Sequence, residues 1–184
     1  MTQKGPASEQ PLLADGATVT PWADARERLE KPQKYRTYWL ATVHPEGRPN
    51  VMPLIGLWLD GAFYFISGEG TRKARNLAGN AHCVVTLGSP ALPALDLVIE
   101  GEAVKVTDAA KLKRVAAAYG SDLHWPLTVR DGAMFGPGAP TAGPPPYALF
   151  ELTPTKVFGL PGLTGMDKEG KRKKDPISPT RWRF

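Results

Sequence analysis

The sequence predicts a mainly β (α+β) chain: a closed or nearly closed antiparallel barrel, with a few helices plugging or covering its ends. Three observations carry that prediction. Aromatic and β-branched residues dominate several short runs, such as "AFYFIS" and "HCVVTLG", as strands prefer. Turn signals separate those runs at short intervals, among them "HPEGRP" at 44–49 and "DG" at 60–61. Gly and Pro each number 19 in 184 residues, which calls for many turns and some long loops. Strands joined in this way pair with near neighbours, and their sheet loses its exposed edges by curling closed.

Each element follows from local chemistry. Residues 1–19 are polar and rich in Pro and Gly, which predicts a flexible N-terminal arm, leaving 20–184 as one domain with a C-terminal tail. "TPWADARERLEK" predicts a helix: Thr20 as N-cap, Pro21 in the first position, Trp22, Ala25 and Leu29 on one face, and Pro32 as terminator. Segments 36–43, 49–59 and 62–67 predict a three-stranded antiparallel meander. Thr71 to Gly79 is a short helix, capped by Thr71 and ended by Gly79. "HCVVTLG" (82–88) and "LDLVIEGEAVKVT" (95–107) are strands, the second bent near Gly101. Thr107 or Asp108 opens a helix whose apolar positions Leu112, Val115, Ala116 and Tyr119 keep helical spacing. From 126 to 146 the chain is loop-rich, a length that usually carries function. Residues 147–160 return as strand, and the chain ends "SPTRWRF".

Composition bounds the function. Hydrophobic residues make up 42% and charged residues 22%, enough for a real core. The single cysteine, Cys83, excludes a disulfide within the chain and fits a reducing, cytoplasmic setting. No stretch approaches the roughly 20 apolar residues of a membrane-spanning helix, and the N-terminus lacks a signal-peptide core. The net charge is +5 and the pI about 9.4. Five of the 23 cations lie in "KEGKRKK" (168–174), without interleaved aromatics, which reads as a solvated loop rather than a nucleic-acid platform. His44, His82 and His124 show no metal spacing, and neither a Ser/His/Asp signature nor a carboxylate pair stands out. Tyr119, Trp125 and Tyr147 are candidates for a substrate pocket or for plain packing.

One stretch points to chemistry. "GEGTRKARNL" (68–77) places three cations, Arg72, Lys73 and Arg75, at the start of a short helix behind two glycines and a threonine. Phosphate recognition uses backbone N–H groups, a positive helix end and flexible cations. A solvated helix face has the same composition, so the segment alone leaves both readings open.

The wider pattern, "PEGRP", a strand, "DGAFYFIS", then "TRKARNLAGN" and another strand, resembles the pyridoxamine 5′-phosphate oxidase-like superfamily of flavin-binding split β-barrels. The resemblance covers about residues 36–107. It implies a split antiparallel barrel, a homodimer with cofactor sites between subunits, and FMN or the deazaflavin coenzyme F-420 as cofactor. It implies cofactor contacts at Met52, Pro53, Ser67, Thr71, Arg72, Lys73, Trp182 and Arg183, with Thr71, Arg72 and Lys73 on the phosphate. True oxidases of the family carry an Arg and a Lys on the strand after the turn; here Met52 and Leu57 stand there, which argues against oxidation of pyridoxine 5′-phosphate. The more apolar site resembles the deazaflavin-dependent branch.

The expected function is hydride transfer between the bound cofactor and a small organic substrate, with no catalytic acid or base on the protein. Two alternatives stand beside it: a non-catalytic protein that binds flavin or another anionic ligand, and a nucleic-acid-binding barrel. The C-terminal Trp182 and Arg183 either reach the cofactor or pack on the barrel or a partner subunit.

Overall fold

A computed structural model describes residues 5–12, 18–31, 36–89, 94–161 and 177–184. The basic loop at 168–174 and the terminator Pro32 lie outside the described residues.

Eleven strands and three helices are described. In chain order they are β1 (Ser8–Pro11), α1 (Trp22–Glu30), β2 (Tyr38–Val43), β3 (Pro49–Leu54), β4 (Gly56–Leu59), β5 (Ala62–Ser67), α2 (Arg72–Gly79), β6 (His82–Leu87), β7 (Leu95–Lys105), α3 (Ala109–Leu123), β8 (Thr128–Arg130), β9 (Ala133–Phe135), β10 (Ala148–Pro161) and β11 (Thr180–Arg183). Nine strands form one antiparallel sheet in the order β1-β11-β10-β7-β6-β2-β3, with the β4–β5 hairpin attached to β10. This is the mainly β, split-barrel architecture that the sequence predicts.

β10 makes the split. Along one edge it pairs with β7 from Phe150 to Pro161. Along the other edge its first half, Ala148–Leu152, pairs with β5, and its second half, Lys156–Gly159, pairs with β11. The bend expected at Gly101 is a bulge in the facing strand, where register shifts between Pro154 and Lys156. Gly101 is there because a Cβ would lie 2.1 Å from the Thr153 carbonyl oxygen.

The expected meander is two hairpins instead. β2 pairs with β3 and β6, while β4 pairs with β5 alone and β5 with β10. Ile55 separates β3 from β4, so segment 49–59 serves two parts of the sheet. Both tight turns at Asp-Gly adopt the left-handed conformation at both residues, Asp60 (φ 53°) with Gly61 (φ 84°) and Asp131 (φ 48°) with Gly132 (φ 74°). That geometry matches the twist of paired strands. The second of these turns builds the β8–β9 hairpin inside the stretch expected to be loop.

Two further expectations are corrected. The arm expected at 1–19 is, at Ser8–Pro11, a strand paired with Thr180–Arg183. Its Glu9 carboxylate accepts a hydrogen bond from the Trp22 N–H at 3.3 Å, meeting an unpaired amide of the α1 start. Thr20 is not the N-cap of α1: Pro21 holds that position with no side-chain cap. The Thr20 hydroxyl instead donates to the Ser178 carbonyl at 2.9 Å, and the Thr20 N–H donates to the Thr180 hydroxyl at 2.8 Å. The segment leading into β11 competes successfully for that hydroxyl.

The core has two compartments because β5 is buried on both faces. Phe63 and Phe65 point into the barrel with Leu40, Val85, Ile99, Leu152 and Trp182. Tyr64 and Ile66 point outward to a second cluster under α3, with Leu112, Val115, Tyr119 and Tyr147. A strand with two covered faces has no polar alternation, which is why "AFYFIS" is apolar throughout. α3 opens at Asp108, whose carboxylate accepts from the Lys111 N–H at 2.7 Å. No helix of the described residues is long and apolar enough to cross a membrane.

Candidate functional site

The junction of β5 and α2 is built from short-range chemistry. Thr71 caps α2, its hydroxyl accepting from the Ala74 N–H at 3.3 Å. The Ser67 and Thr71 hydroxyls share a hydrogen bond of 2.7 Å. The Thr71 N–H closes a turn on the Gly68 carbonyl at 3.0 Å. The Gly68 N–H donates to the Ala142 carbonyl at 2.8 Å, so the long loop lies directly on the turn. A Cβ on Gly68 would come 2.8 Å from that same carbonyl oxygen, which explains the glycine.

Lys73 is the unusual residue of this junction. Its side chain is 2% exposed. Its ammonium donates to the Thr141 carbonyl, and burial pulls its pKa below the ordinary lysine value. Among the described residues no carboxylate stands within ion-pair distance of it. A buried cation normally has an anionic partner, because desolvation costs several kcal/mol per ion. The α2 start adds first-turn amides and the positive end of the helix dipole. Arg72 and Arg75, by contrast, are exposed.

A cavity of about 560 Å³ opens beside this junction. Its walls come from the turn (Gly68 to Thr71), from the loop (Ala142 to Tyr147) and from Lys105 and Gly132. Glu69 pairs with Lys105 at the rim, and that hydrogen-bonded ammonium holds the Glu69 carboxyl below its ordinary value. The volume falls within the range of about 300–1,000 Å³ usual for small-molecule and cofactor sites.

The sequence-derived candidates separate into three places. Ser67, Thr71, Arg72 and Lys73 gather at the β5–α2 junction. Pro53 lies on a second, smaller cavity with Tyr119 and Trp125, whereas Tyr147 lines the larger one. Met52 sits in mid-β3 opposite Leu40 and lines neither cavity, and Leu57 is buried in the cluster under α3.

Trp182 and Arg183 do not join the junction within one subunit. Trp182 is 0% exposed and packs edge-on against Trp22 at 5.5 Å between ring centroids. A Cβ on Gly159 would meet its ring at 2.4 Å, so β10 leaves room for it. A ring so enclosed serves the core of its own barrel, which answers why the tail is aromatic. Arg183 is exposed, and its carbonyl accepts from the Ala7 N–H at 2.6 Å. Thr141 and Ala142 belong to the loop-rich stretch expected to carry function, but the sequence does not single them out within it. Their role is through backbone carbonyls, which leave no trace in residue type.

A search by sequence among curated proteins finds no match. Solved structures share the fold. An FMN-binding, pyridoxamine 5′-phosphate oxidase-related protein from Nostoc punctiforme aligns with a TM-score of 0.54 at 20% identity, covering 89% of this chain and 96% of that one. An F420 reductase aligns with a TM-score of 0.52 at 24% identity, covering 72% and 94%. A heme binding protein from Mycobacterium smegmatis aligns with a TM-score of 0.59 at 19% identity, covering 82% and 58%. At these identities the likeness establishes the architecture alone. The family model described as pyridoxamine 5′-phosphate oxidase matches residues 24–160, from α1 through nearly all of β10. With three-quarters of the chain matched and the split barrel in place, the chain belongs to the pyridoxamine 5′-phosphate oxidase-like family.

Proposed function

We propose that the protein binds FMN or the deazaflavin coenzyme F-420 and acts as an oxidoreductase on a small organic substrate. The observation that carries this reading is Lys73, a buried ammonium without a carboxylate partner among the described residues, in the first turn of α2, whose cap Thr71 lines a cofactor-sized cavity. The donor set suits a phosphate: Lys73 supplies charge, Ser67 and Thr71 supply hydroxyls, and the first turn of α2 supplies amides. Arg72, exposed at the same turn, supplies a planar fork from the solvent side. When bound, the flavin or deazaflavin ring accepts or delivers a hydride. The protein orients it, excludes water and fixes the substrate beside it. A homodimer, expected for this family, would close the open side of the site.

Titration of the apoprotein tests the reading. FMN and F-420 are compared with riboflavin, which lacks the phosphate, in wild type and Lys73→Met. Charge-assisted hydrogen bonds contribute roughly 1.5–3 kcal/mol each. FMN affinity should fall about tenfold to a hundredfold in Lys73→Met, while riboflavin affinity stays level. The melting temperature of the apoprotein should change little. Loss of the bond to Thr141 is offset by relief from burying an ammonium. Equal losses for FMN and riboflavin would make Lys73 a fold residue. Tight cofactor binding with no turnover across a panel of reductants and acceptors would favour the non-catalytic binding protein.

A further inference from the structure

Residues 137–143, in the loop between β9 and β10, form a strap that keeps its own shape. Its neck is pinned by the Tyr147 phenol, 0% exposed, which donates to the Gly143 carbonyl at 3.1 Å and the Pro137 carbonyl at 3.2 Å. Within the strap, the Ala142 and Gly143 N–H groups donate to the Ala139 carbonyl at 3.0 and 3.1 Å. These bonds close a compact loop whose ends lie together. The tip rests on the β5–α2 junction. Among the described residues, two hydrogen bonds fasten it there. The Lys73 ammonium donates to the Thr141 carbonyl, and the Gly68 N–H donates to the Ala142 carbonyl at 2.8 Å.

Both donors lie where a phosphate would be held, yet Lys73 contributes no wall to either cavity. With the tip seated, its ammonium meets the strap and not a ligand beside Thr71. A phosphate would be the better partner for each donor. It turns the Gly68 bond into a charge-assisted one, roughly twice as strong. It also gives the Lys73 ammonium the counter-charge that, among the described residues, it lacks, and a buried cation needs one. Room for the exchange exists. Residues 139–142 border the smaller cavity, about 150 Å³, so the tip has space to withdraw. A close-packed interior offers no such space.

We infer that the 137–143 strap is a lid on the anion site. Seated, its carbonyls occupy the Lys73 and Gly68 donors; a bound phosphate takes both donors and displaces the tip, while the neck stays on Tyr147. That the phosphate is a cofactor's rests on the reading above; the competition between carbonyl and anion does not. A ligand that binds only the lifted state must shift the population towards it.

Spin labels on Pro140→Cys in the strap and Lys113→Cys on α3, both exposed positions, report the tip by electron–electron double resonance in a full-length Cys83→Ala chain. The probes are FMN, riboflavin and inorganic phosphate, the last against chloride at equal ionic strength. The apoprotein should give one distance. FMN and inorganic phosphate should each add a second, displaced distance that becomes the majority at saturation, and riboflavin and chloride should not. Lys73→Met should show the displaced distance without any ligand, because one of the two fastenings is gone. FMN bound with the distance unmoved would overturn the lid. Riboflavin moving the tip as far as FMN would overturn it too, since the ring and not the anion would then be the trigger. If inorganic phosphate lifts the tip and neither FMN nor F-420 binds, the lid stands and the cofactor reading falls. If FMN binds more tightly than riboflavin and neither FMN nor inorganic phosphate moves the tip, the cofactor reading stands and the lid alone falls.

Discussion

Lys73 buries an ammonium that, among the described residues, only the Thr141 carbonyl meets. Its pKa in the folded chain lies below the ordinary 10.5, and burial is the cause. The sign of the pH effect follows. Between the lowered value and 10.5 the unfolded chain holds the proton and the folded chain does not, so stability rises with pH in that window. Below the window both states are protonated and the burial penalty is fully present. Buried tyrosines such as Tyr38 act oppositely, since burial raises their pKa and ionisation in the unfolded chain favours unfolding. The Lys73→Met variant separates the two. Urea unfolding from pH 7 to 10.5 should show wild type gaining on the variant as pH rises. A constant difference would mean that Lys73 titrates as a solvated lysine. Cys83 is no competitor for chemistry: burial pushes its thiol up to about 12, far from a nucleophilic thiolate at neutral pH.

At the scale of elements, β11 is the piece whose position matters most. It lies between β1 and β10, so four residues at the end of the chain join two strands into the sheet. Trp182 anchors it, surrounded by Trp22, Val157 and Gly159. Truncating a buried tryptophan to alanine costs about 3–5 kcal/mol. Trp182→Ala should lower the chemical-denaturation stability by that amount. A chain ending at Thr180 should lose as much or more, because β1 then keeps a paired residue only at Pro11. If either variant kept wild-type stability while losing FMN affinity, Trp182 would act on the cofactor and not through the core.

At the scale of the whole molecule, the outer face of the β2–β3–β6 sheet carries exposed apolar side chains. Trp39, Leu40, Trp58 and Phe63 are large apolar residues on neighbouring strands, more than one small core is expected to bury from sequence alone. The structure buries Leu40, Trp58 and Phe63 within the barrel and leaves Trp39 48% exposed. Period-two alternation is the reason: Trp39, Ala41 and Val43 face outward from β2 while Tyr38 and Leu40 face inward. Val51, 53% exposed on β3, pairs with Ala41 in register and extends the outward patch. Exposed apolar patches of this kind mark association surfaces. The expected state is a homodimer through this face. A central tryptophan at such an interface contributes about 2 kcal/mol or more. Trp39→Glu should therefore raise the dimer dissociation constant about thirtyfold, read by light scattering across micromolar concentrations. A wild-type monomer mass over that range would remove the dimer.

The sequence by itself determined what is encoded within a few residues. Thr71 as a cap, Asp-Gly as a turn and the helical spacing of Leu112, Val115, Ala116 and Tyr119 are local free-energy choices, and the structure keeps all of them. The same locality made "GEGTRK" visible as a phosphate candidate. Tertiary structure decided what depends on distant partners. Thr20 bonds Thr180 across 160 residues instead of capping its own helix. Ser8–Pro11 becomes a strand only because Thr180–Arg183 offers an edge. Lys73 meets Thr141 across 68 residues, and that meeting walls two cavities with one loop. Such pairings are chosen by which surfaces can be buried together, a property of the closed barrel that no single segment carries.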